Sequence, residues 1–394
     1  MNHIKGLVYG QALGDAVGLT TEFKFKRDKP QIIFPYKEKI RNNPVCDWTD
    51  DTDQMILILE TLLESDHDFK SVGLVKQDYL NFARKFLSWK ATGFPELGDT
   101  RGEGLGGSTN MVLINPSFPK EPFEASKEIW INSGRRLAPN GALMRTSILG
   151  VLYLFAKDND EFWAEIRKFC EITHFDARAV ISCWSLTLII RMILRLIFLR
   201  KTDMIIDMKK EVYRIILQRI DSENLSAQTP VPACGKCESK AGATRHQPTP
   251  QMYLDEEYIN DEGYDLKREF VNYGNMPLRD LKLDEMGKIG YTFKCLGCAF
   301  WALDIISGYQ ERLSVATKEG RSIPGLSFEK IIHRLVKECG DADTNAAVAG
   351  SIIGTYIGYD ALPERWLNAL PNKAWLDKKV DALFLKMGLI KKSS

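Results

Sequence analysis

Two acidic clusters lie far apart in the 394-residue chain. Residues 47–53 read DWTDDTD, and residues 340–345 read GDADTN. Each cluster runs into an apolar segment with helical spacing, which predicts carboxylates at a helix N-terminus. One or two acids there commonly cap free N–H groups and complement the helix dipole. Three acids within four residues repel one another, and a bound cation is the simplest relief, although a strongly capped surface helix is the alternative.

The residue types in these clusters indicate which cation they suit. Asp and Thr offer only oxygen, which favours Mg²⁺, Mn²⁺ or Ca²⁺ over zinc. An EF-hand beginning at Asp341 is excluded because its sixth and twelfth positions are Ala346 and Ile352. If the two helix ends face each other, a two-ion site follows, which can orient an attacking water and hold substrate oxygens.

Two further segments have the composition of ligand-binding walls. Residues 102–110 read GEGLGGSTN and can offer backbone N–H groups to a phosphate, with a plain flexible turn as the alternative. Residues 139–145 read PNGALMR, which predicts a turn directly before an apolar helix, with Arg145 one turn into it. An ion pair is the structural alternative for that arginine.

Helices must position these residues, because strand signals are scarce and apolar residues recur at three-and-four spacing along the chain. We predict an all-α protein. The predicted helices are Asn2–Val17, Asp51–Glu64, Val75–Lys90, Gly141–Phe155, Glu161–Glu171, Ala177–Leu199, Lys288–Ile306, Phe328–Cys339 and Ala346–Tyr359.

Charge and hydropathy restrict the class of protein. Because 53 basic residues balance 52 acidic ones, no overall field favours nucleic acid or an anionic membrane. The N-terminus lacks a secretory signal pattern, so we expect the cytoplasm, with the nucleus as a further possibility, and free thiols for the eight cysteines. The apolar segment 186–199 is interrupted by Arg191 and Arg195, which predicts a buried helix with a polar edge and no membrane span.

Residues 222–262 contain few aliphatic side chains and are predicted to form a polar surface insertion. Cys234 and Cys237 in this segment, taken with Cys295 and Cys298, suggest a zinc site. The second pair lies in an apolar predicted helix, however, where cysteine is commonly a small buried hydrophobe, so we do not expect zinc.

Taken in order along the chain, five motifs resemble those of the ADP-ribosylglycohydrolases, which include dinitrogenase reductase-activating glycohydrolase and the ADP-ribosyl-arginine and ADP-ribosyl-serine hydrolases. The chain opens with GLVYGQALGDAVG at residues 6–18 and continues to Glu22, which resembles the family's first helix and gating glutamate. The other four motifs are Thr49–Thr52, Asn140-Gly141 with Met144-Arg145, Thr173-His174, and Asp341–Asn345.

This resemblance implies an orthogonal all-α bundle, a single domain over residues 1–394, with two Mg²⁺ or Mn²⁺ ions in a central cleft. It implies metal ligation by Thr49, Asp50, Asp51, Asp341, Asp343 and Thr344, with Asp343 bridging. It assigns catalysis to Glu22, Asp50 and Asp343, and substrate binding to Gly106, Gly107, Ser108, Asn140, Gly141, Arg145 and His174. Pro139 stands where the family usually has glycine, which removes a backbone donor from that wall.

The implied reaction is hydrolysis of the N- or O-glycosidic bond between ADP-ribose and an acceptor, which is an ADP-ribosylated protein or a small ADP-ribose conjugate. A monomer is expected, with no nucleic acid or membrane partner. Two other hypotheses stay open. One is a catalytically inactive, crystallin-like or ADP-ribose-binding relative, and the other is a helical interaction module that recruits partners through its insertion. The acceptor linkage stays open as well.

Overall fold

The computed structural model describes residues 1–66, 73–152, 154, 160–228 and 264–391. Within these ranges the chain is helical and forms no β-strand, only two isolated β-bridges. The all-α class is therefore confirmed. The helices are α1 (Asn2–Gly18), α2 (Asp50–Glu64), α3 (Lys76–Thr92), α4 (Gly107–Leu113), α5 (Pro122–Asn132), α6 (Asp160–Glu171), α7 (Ala177–Phe198), α8 (Met208–Ser222), α9 (Leu266–Asn275), α10 (Thr292–Lys318), α11 (Phe328–Val336), α12 (Ala342–Ile357), α13 (Glu364–Leu367) and α14 (Lys373–Lys386).

Helices α1 and α12 pack against each other in antiparallel directions with their backbones in contact. Glycines recur every fourth residue along α1, and they face glycine or alanine along α12. A Cβ atom on Gly14 would overlap the carbonyl oxygen of Ala346, and one on Gly18 would overlap that of Ala342. Only glycine at these positions of α1 permits the two backbones to approach this closely. As a result, the C-terminus of α1 meets the N-terminus of α12.

The predicted helix over residues 141–155 is wrong. The chain forms two short 3₁₀ segments there, Leu143–Arg145 and Ser147–Val151. Side chains occupy carbonyls that a regular α-helix would use, because the Thr146 hydroxyl donates to the Leu143 carbonyl (3.0 Å) and Arg145 donates to the Gly141 carbonyl (3.3 Å).

Other predicted boundaries shift in ways that affect the site. The helix predicted from Lys288 begins at Thr292, which leaves the preceding residues as an irregular wall. The helix predicted from Ala346 begins at Ala342, with Asp341 at its N-cap position. Helices α4, α5, α8, α9, α13 and α14 were not predicted.

Part of the predicted surface insertion is ordered helix. Ser222 ends α8, Leu225–Gln228 forms a 3₁₀ turn, and Leu225 is fully buried. The remaining residues of the insertion, with Cys234 and Cys237, lie outside the described residues. Cys295 and Cys298 are buried free thiols on α10.

Helix α7 is long and apolar enough to cross a membrane, with a mean hydropathy of 1.9, yet 78% of that window is buried within the fold. Arg191 is also buried, and its guanidinium lies 4.4 Å from the centre of the Phe162 ring. Helix α7 thus packs as a core helix. The single domain over residues 1–394 stays a prediction.

Candidate active site

The junction of α1 and α12 brings three acidic side chains together. Glu22 follows α1, whereas Asp341 and Asp343 lie at the start of α12. One carboxylate oxygen from each of the three lies within 4.8 Å of the others. Two backbone hydrogen bonds join the two chain segments at this junction, from Phe23 N to Gly340 O (2.6 Å) and from Gly340 N to Lys24 O (3.1 Å).

Gly340 is required at this junction for two reasons. Its φ is +70°, a left-handed conformation that favours glycine. A Cβ atom at this position would also overlap the carbonyl oxygen of Leu283. The glycine of the second acidic motif therefore sets the backbone path that presents Asp341 and Asp343.

Asp15 on α1 anchors the first acidic motif. Its fully buried carboxylate accepts hydrogen bonds from the backbone N–H groups of Thr49 and Thr52, at 3.0 and 3.1 Å. It also accepts from both threonine hydroxyls, at 2.8 and 2.6 Å. An acid from a neighbouring helix thereby caps the N-terminus of α2. This contact fixes α2 so that Asp50 and Asp51 point to the same side as the α12 carboxylates.

Asp50 and Asp51 differ in how many of their oxygens are satisfied. Asp50 accepts a hydrogen bond from Gln54 at 2.8 Å, and Gly104 packs against its other oxygen. Asp51 accepts one from the Thr49 hydroxyl at 3.2 Å, while its Oδ1 is buried without a hydrogen-bond partner. A buried carboxylate oxygen without a partner is costly, and it points to a ligand.

Burial and mutual repulsion raise the pKa values of these carboxyls. Burial is the larger cause for Asp50, Asp51 and Asp343, and the neighbouring carboxylates raise each pKa further. Burial also raises the pKa of Asp341 and of Glu22, although the Arg41 guanidinium paired with Glu22 opposes the shift of Glu22. Positive charge at this position would relieve all five groups.

The chemistry of these residues suits a hard divalent cation. The available metal ligands are carboxylate oxygens and the Thr344 hydroxyl, and they come from three separate segments of the chain. One of these oxygens, Oδ1 of Asp51, lacks a hydrogen-bond partner. This acidic group can hold a metal ion.

Not every acid of the first cluster faces this group. The two carboxylate oxygens of Asp53 accept from the indole N–H groups of Trp48 and Trp89, at 2.8 and 2.9 Å. Asp47 accepts from the Asn372 side chain at 2.9 Å. Both acids are therefore satisfied by protein groups and are structural.

The carboxylates line a cavity of about 230 Å³. Its opposite wall includes Asn140, whose amide donates to Asp341 at 2.7 Å, and Gly141, which packs against the ring of His174. The predicted site residues that line the cavity are Glu22, Asp50, Asp51, Gly106, Gly107, Ser108, Asn140, Gly141, His174, Asp341, Asp343 and Thr344.

Two predicted site residues do not line the cavity. The Thr49 hydroxyl is used within the protein, since its one proton is shared between Asp15 at 2.8 Å and Asp51 at 3.2 Å. Arg145 is fully buried behind the cavity, and its guanidinium donates to Gln54, Gly141, Phe169 and Thr173. Sequence spacing indicates that a residue is near a site, but not which way its side chain points.

Sequence reasoning also missed residues that form or support the cavity. The segment preceding α10 contributes Met286, Gly287, Ile289 and Gly290, and Phe23 lies at the mouth. Asp15 carried a usable signal, because a lone acid in an otherwise apolar, glycine-rich helix predicts a specific buried partner. The Met286 segment carried no such signal.

Comparison with known proteins yields one family over nearly the whole chain. The family model described as ADP-ribosylglycohydrolase matches residues 1–392. The chain is 24% identical to an uncharacterized protein of Archaeoglobus fulgidus, with 98% of each chain covered. It is 21% identical to an ADP-ribosylarginine hydrolase of Serratia proteamaculans, with 98% of this chain and 79% of the relative covered.

A solved structure described as an ADP-ribosylglycohydrolase-related protein complex shares the fold. Its TM-score is 0.56 at 21% identity, and the similarity covers 98% of both chains. At this level of identity the similarity supports the architecture alone.

Proposed function

The chain belongs to the ADP-ribosylglycohydrolase family, and we propose that it is a metal-dependent hydrolase that cleaves the N- or O-glycosidic bond between ADP-ribose and an acceptor. Family membership supports hydrolysis of ADP-ribose linkages in general. The observation that carries the finer proposal is the convergence of five carboxylates, from the segments around Glu22, Asp50 and Asp343, on one cavity. The proposed acceptor is a protein side chain or a small conjugate.

The proposed cofactor is a pair of Mg²⁺ or Mn²⁺ ions held by Asp50, Asp51, Asp341, Asp343 and Thr344. When bound, such ions would offset the negative charge of the carboxylates and would coordinate sugar hydroxyl oxygens. Thr49 supports this set through its hydroxyl contact with Asp51.

Glu22 is the proposed proton-transfer group. Its side chain is only 10% exposed, and burial raises the pKa of its carboxyl, so it takes up a proton more readily than an exposed glutamate. It lines the cavity beside Asp341 and Asp343. In the proposed reaction it exchanges a proton with the attacking water or the leaving group.

The remaining residues are proposed to hold the sugar and the diphosphate. Positive charge that develops on the anomeric carbon would lie beside the carboxylates, which favour an oxocarbenium-like transition state electrostatically. Ser108 and Gly141 line the opposite wall, and the Ser108 hydroxyl is buried without a partner, which leaves it available to a ligand.

The first experiment measures release of ADP-ribose from arginine-linked, serine-linked and acetyl-linked substrates, with Mg²⁺ or Mn²⁺ and again after chelation. We expect cation-dependent release that is lost in Asp343→Asn. Asp203→Asn, which removes an exposed acid on another part of the surface, is the matched control and should retain activity. The substrate that is hydrolysed identifies the acceptor linkage.

The alternative is a catalytically inactive relative that binds ADP-ribose. Absence of release from every substrate, by a folded protein that binds the cation, would reject the hydrolase proposal. Calorimetric titration with ADP-ribose would then test the binding-only function. An interaction module would instead show no dependence on the cation in either assay.

A further inference from the structure

The buried guanidinium of Arg145 connects the two walls of the cavity. On one side it donates to the Gln54 carbonyl oxygen at 3.2 Å, and the Gln54 amide nitrogen donates to Asp50 at 2.8 Å. On the other side it donates to the Thr173 hydroxyl oxygen at 2.6 Å, which lies 2.7 Å from Nδ1 of His174. Two hydrogen-bond chains thus start at the Arg145 guanidinium and end at Asp50 and His174, which both line the cavity.

The direction of each hydrogen bond follows from Arg145, because a guanidinium only donates. Thr173 accepts from Arg145, and among the described residues Nδ1 of His174 is the one acceptor in contact with this hydroxyl, so we expect its single proton to be donated there. A neutral imidazole that accepts at Nδ1 carries its proton on Nε2. His174 therefore presents an N–H donor at Nε2.

That nitrogen is otherwise unused. His174 is 4% exposed, and Nε2 is buried without a hydrogen-bond partner. A Cβ atom on Gly141 would come within 3.1 Å of it, so the absence of a side chain there keeps the nitrogen open to the cavity. A buried N–H donor without a partner is expected to find one in a ligand.

The electrostatic surroundings keep the ring neutral. Burial lowers the pKa of His174 well below its ordinary value, and the charge of Arg145 lowers it further. Among the described residues, Arg145 donates to uncharged oxygens, those of Gln54, Gly141, Phe169 and Thr173. A second positive charge on His174 is therefore disfavoured.

We propose that Arg145 is a positioning residue, which through Thr173 fixes His174 as an Nε2–H donor to an acceptor oxygen of bound ADP-ribose and through Gln54 orients Asp50. This inference rests on the proposed function for the identity of the ligand. It reassigns Arg145 from a substrate contact to a group that acts through its neighbours.

The first test reads the His174 tautomer directly. The full chain is labelled with ¹⁵N-histidine in Mg²⁺, and the His174 signals among the five histidines are assigned by their loss in His174→Gln. We expect a neutral ring with the proton on Nε2. Thr173→Val removes the hydroxyl at nearly constant volume, so the His174 proton should no longer favour Nε2. Thr173→Ser keeps the hydroxyl and should retain the preference for Nε2.

The second test measures the dissociation constant of ADP-ribose by calorimetry. Loss of one hydrogen bond to a ligand corresponds to about tenfold weaker binding, which we expect for Thr173→Val and for His174→Asn. Thr173→Ser should stay close to wild type. His174→Gln places an amide near the Nε2 position and should retain more affinity than His174→Asn, which places it near Nδ1.

Three outcomes overturn the proposal. They are a wild-type proton on Nδ1, an unchanged tautomer and dissociation constant in Thr173→Val, and equal losses in Thr173→Ser and Thr173→Val. If ADP-ribose does not bind the wild-type protein, the proposed function fails instead, and the tautomer measurements still decide whether Arg145 and Thr173 position His174. A wild-type proton on Nδ1 of His174 overturns the proposal even if Thr173→Val does not fold.

Discussion

The buried acids of this protein divide into two kinds according to what their oxygens contact. Asp15 and Asp53 accept hydrogen bonds from backbone, hydroxyl or indole donors, so their negative charge is satisfied within the protein. Burial raises the pKa of all four acids, but hydrogen bonds oppose this shift in Asp15 and Asp53, whereas neighbouring carboxylates raise the pKa values of Asp51 and Asp343 further. Only the second kind gains substantially from a cation.

The positive charge of Arg41 lies close enough to the acidic cluster to affect cation binding. Its guanidinium pairs with Glu22 and lies 5.5 Å from the centre of the Phe23 ring, and its side chain is 48% exposed. In Arg41→Ala the acidic cluster loses this positive charge, so we expect Mg²⁺ or Mn²⁺ to bind about threefold to tenfold more tightly, as for a change of about 1 kcal/mol at a half-exposed site. Calorimetric titration with the cation measures this.

Arg27→Ala is the matched control for that experiment, because Arg27 is an exposed arginine that pairs with the neighbouring Asp28. Its cation affinity should equal that of the wild-type protein. Equal cation affinities in the wild-type protein and both variants would show that the charge of Arg41 does not weaken cation binding.

His333 predicts a pH dependence of stability away from the site. Its ring packs 5.4 Å from that of Trp366, and burial lowers its pKa below the ordinary 6.5. As the pH falls below 6.5, the unfolded chain takes up a proton that the folded chain resists, so this residue makes the free energy of unfolding fall in acid. His333→Gln should therefore lose less stability than the wild-type protein over that range.

Urea unfolding of both proteins above and below that pH measures the difference. Because the acidic cluster is the same in both, its own titration cancels in the comparison. Parallel dependence of the two free energies on pH would contradict the assignment to His333.

At the scale of elements, the site depends on how closely two helices approach. Backbone contact between α1 and α12 is what places Glu22 next to Asp343, because a wider separation would move the end of one helix away from the start of the other. The four-residue glycine spacing of α1 therefore allows α1 and α12 to approach each other closely, in addition to being one of the motifs that resemble the family.

Gly14→Ala tests this packing. The added methyl group would overlap the carbonyl oxygen of Ala346, and neither backbone can move without shifting its helix. We expect the free energy of unfolding in urea to fall by about 3 kcal/mol, as for overpacked cores. Gly325→Ala adds the same group at an exposed position with no atom within 4 Å, and should change it by no more than about 0.5 kcal/mol.

A loss in Gly14→Ala no larger than that in Gly325→Ala would mean that the helices can separate at little cost. The close approach would then not be what sets the distance between Glu22 and Asp343.

At the scale of the whole molecule, the acidic cluster joins segments from both ends of the chain. Helix α1 contacts α14 as well as α12, since the Tyr9 hydroxyl donates to Asp377 at 2.9 Å. The repulsion among Asp50, Asp51 and Asp343 acts across these contacts and opposes folding. A cation bound there would therefore stabilise the entire fold.

We expect the melting temperature to rise by several degrees with saturating Mg²⁺ or Mn²⁺ and to fall again on chelation. Binding to the folded state at one hundred times the dissociation constant is worth about 2.7 kcal/mol. Asp343→Asn should lose this dependence and, without cation, should match or exceed the wild-type protein in stability because one charge is removed. Differential scanning calorimetry with Asp203→Asn as control measures both effects, and a cation response retained in Asp343→Asn would exclude Asp343 as a ligand.

The helical class, the two acidic motifs and the order of the motifs that indicate the family could all be read from the amino-acid sequence. These follow from local information, because helical periodicity, helix-capping residues and residue chemistry are all readable within a few turns. The glycine spacing of α1 was visible for the same reason.

Which of these residues face one another could be seen only in the packed fold. Asp53 and Asp51 lie two residues apart, yet one contacts two tryptophans and the other faces the cavity. Arg145 proved to be buried behind the wall, and the Met286 segment proved to be part of it. Side-chain direction and contacts between distant segments depend on how helices pack, and that packing is set by the whole core rather than by any local pattern.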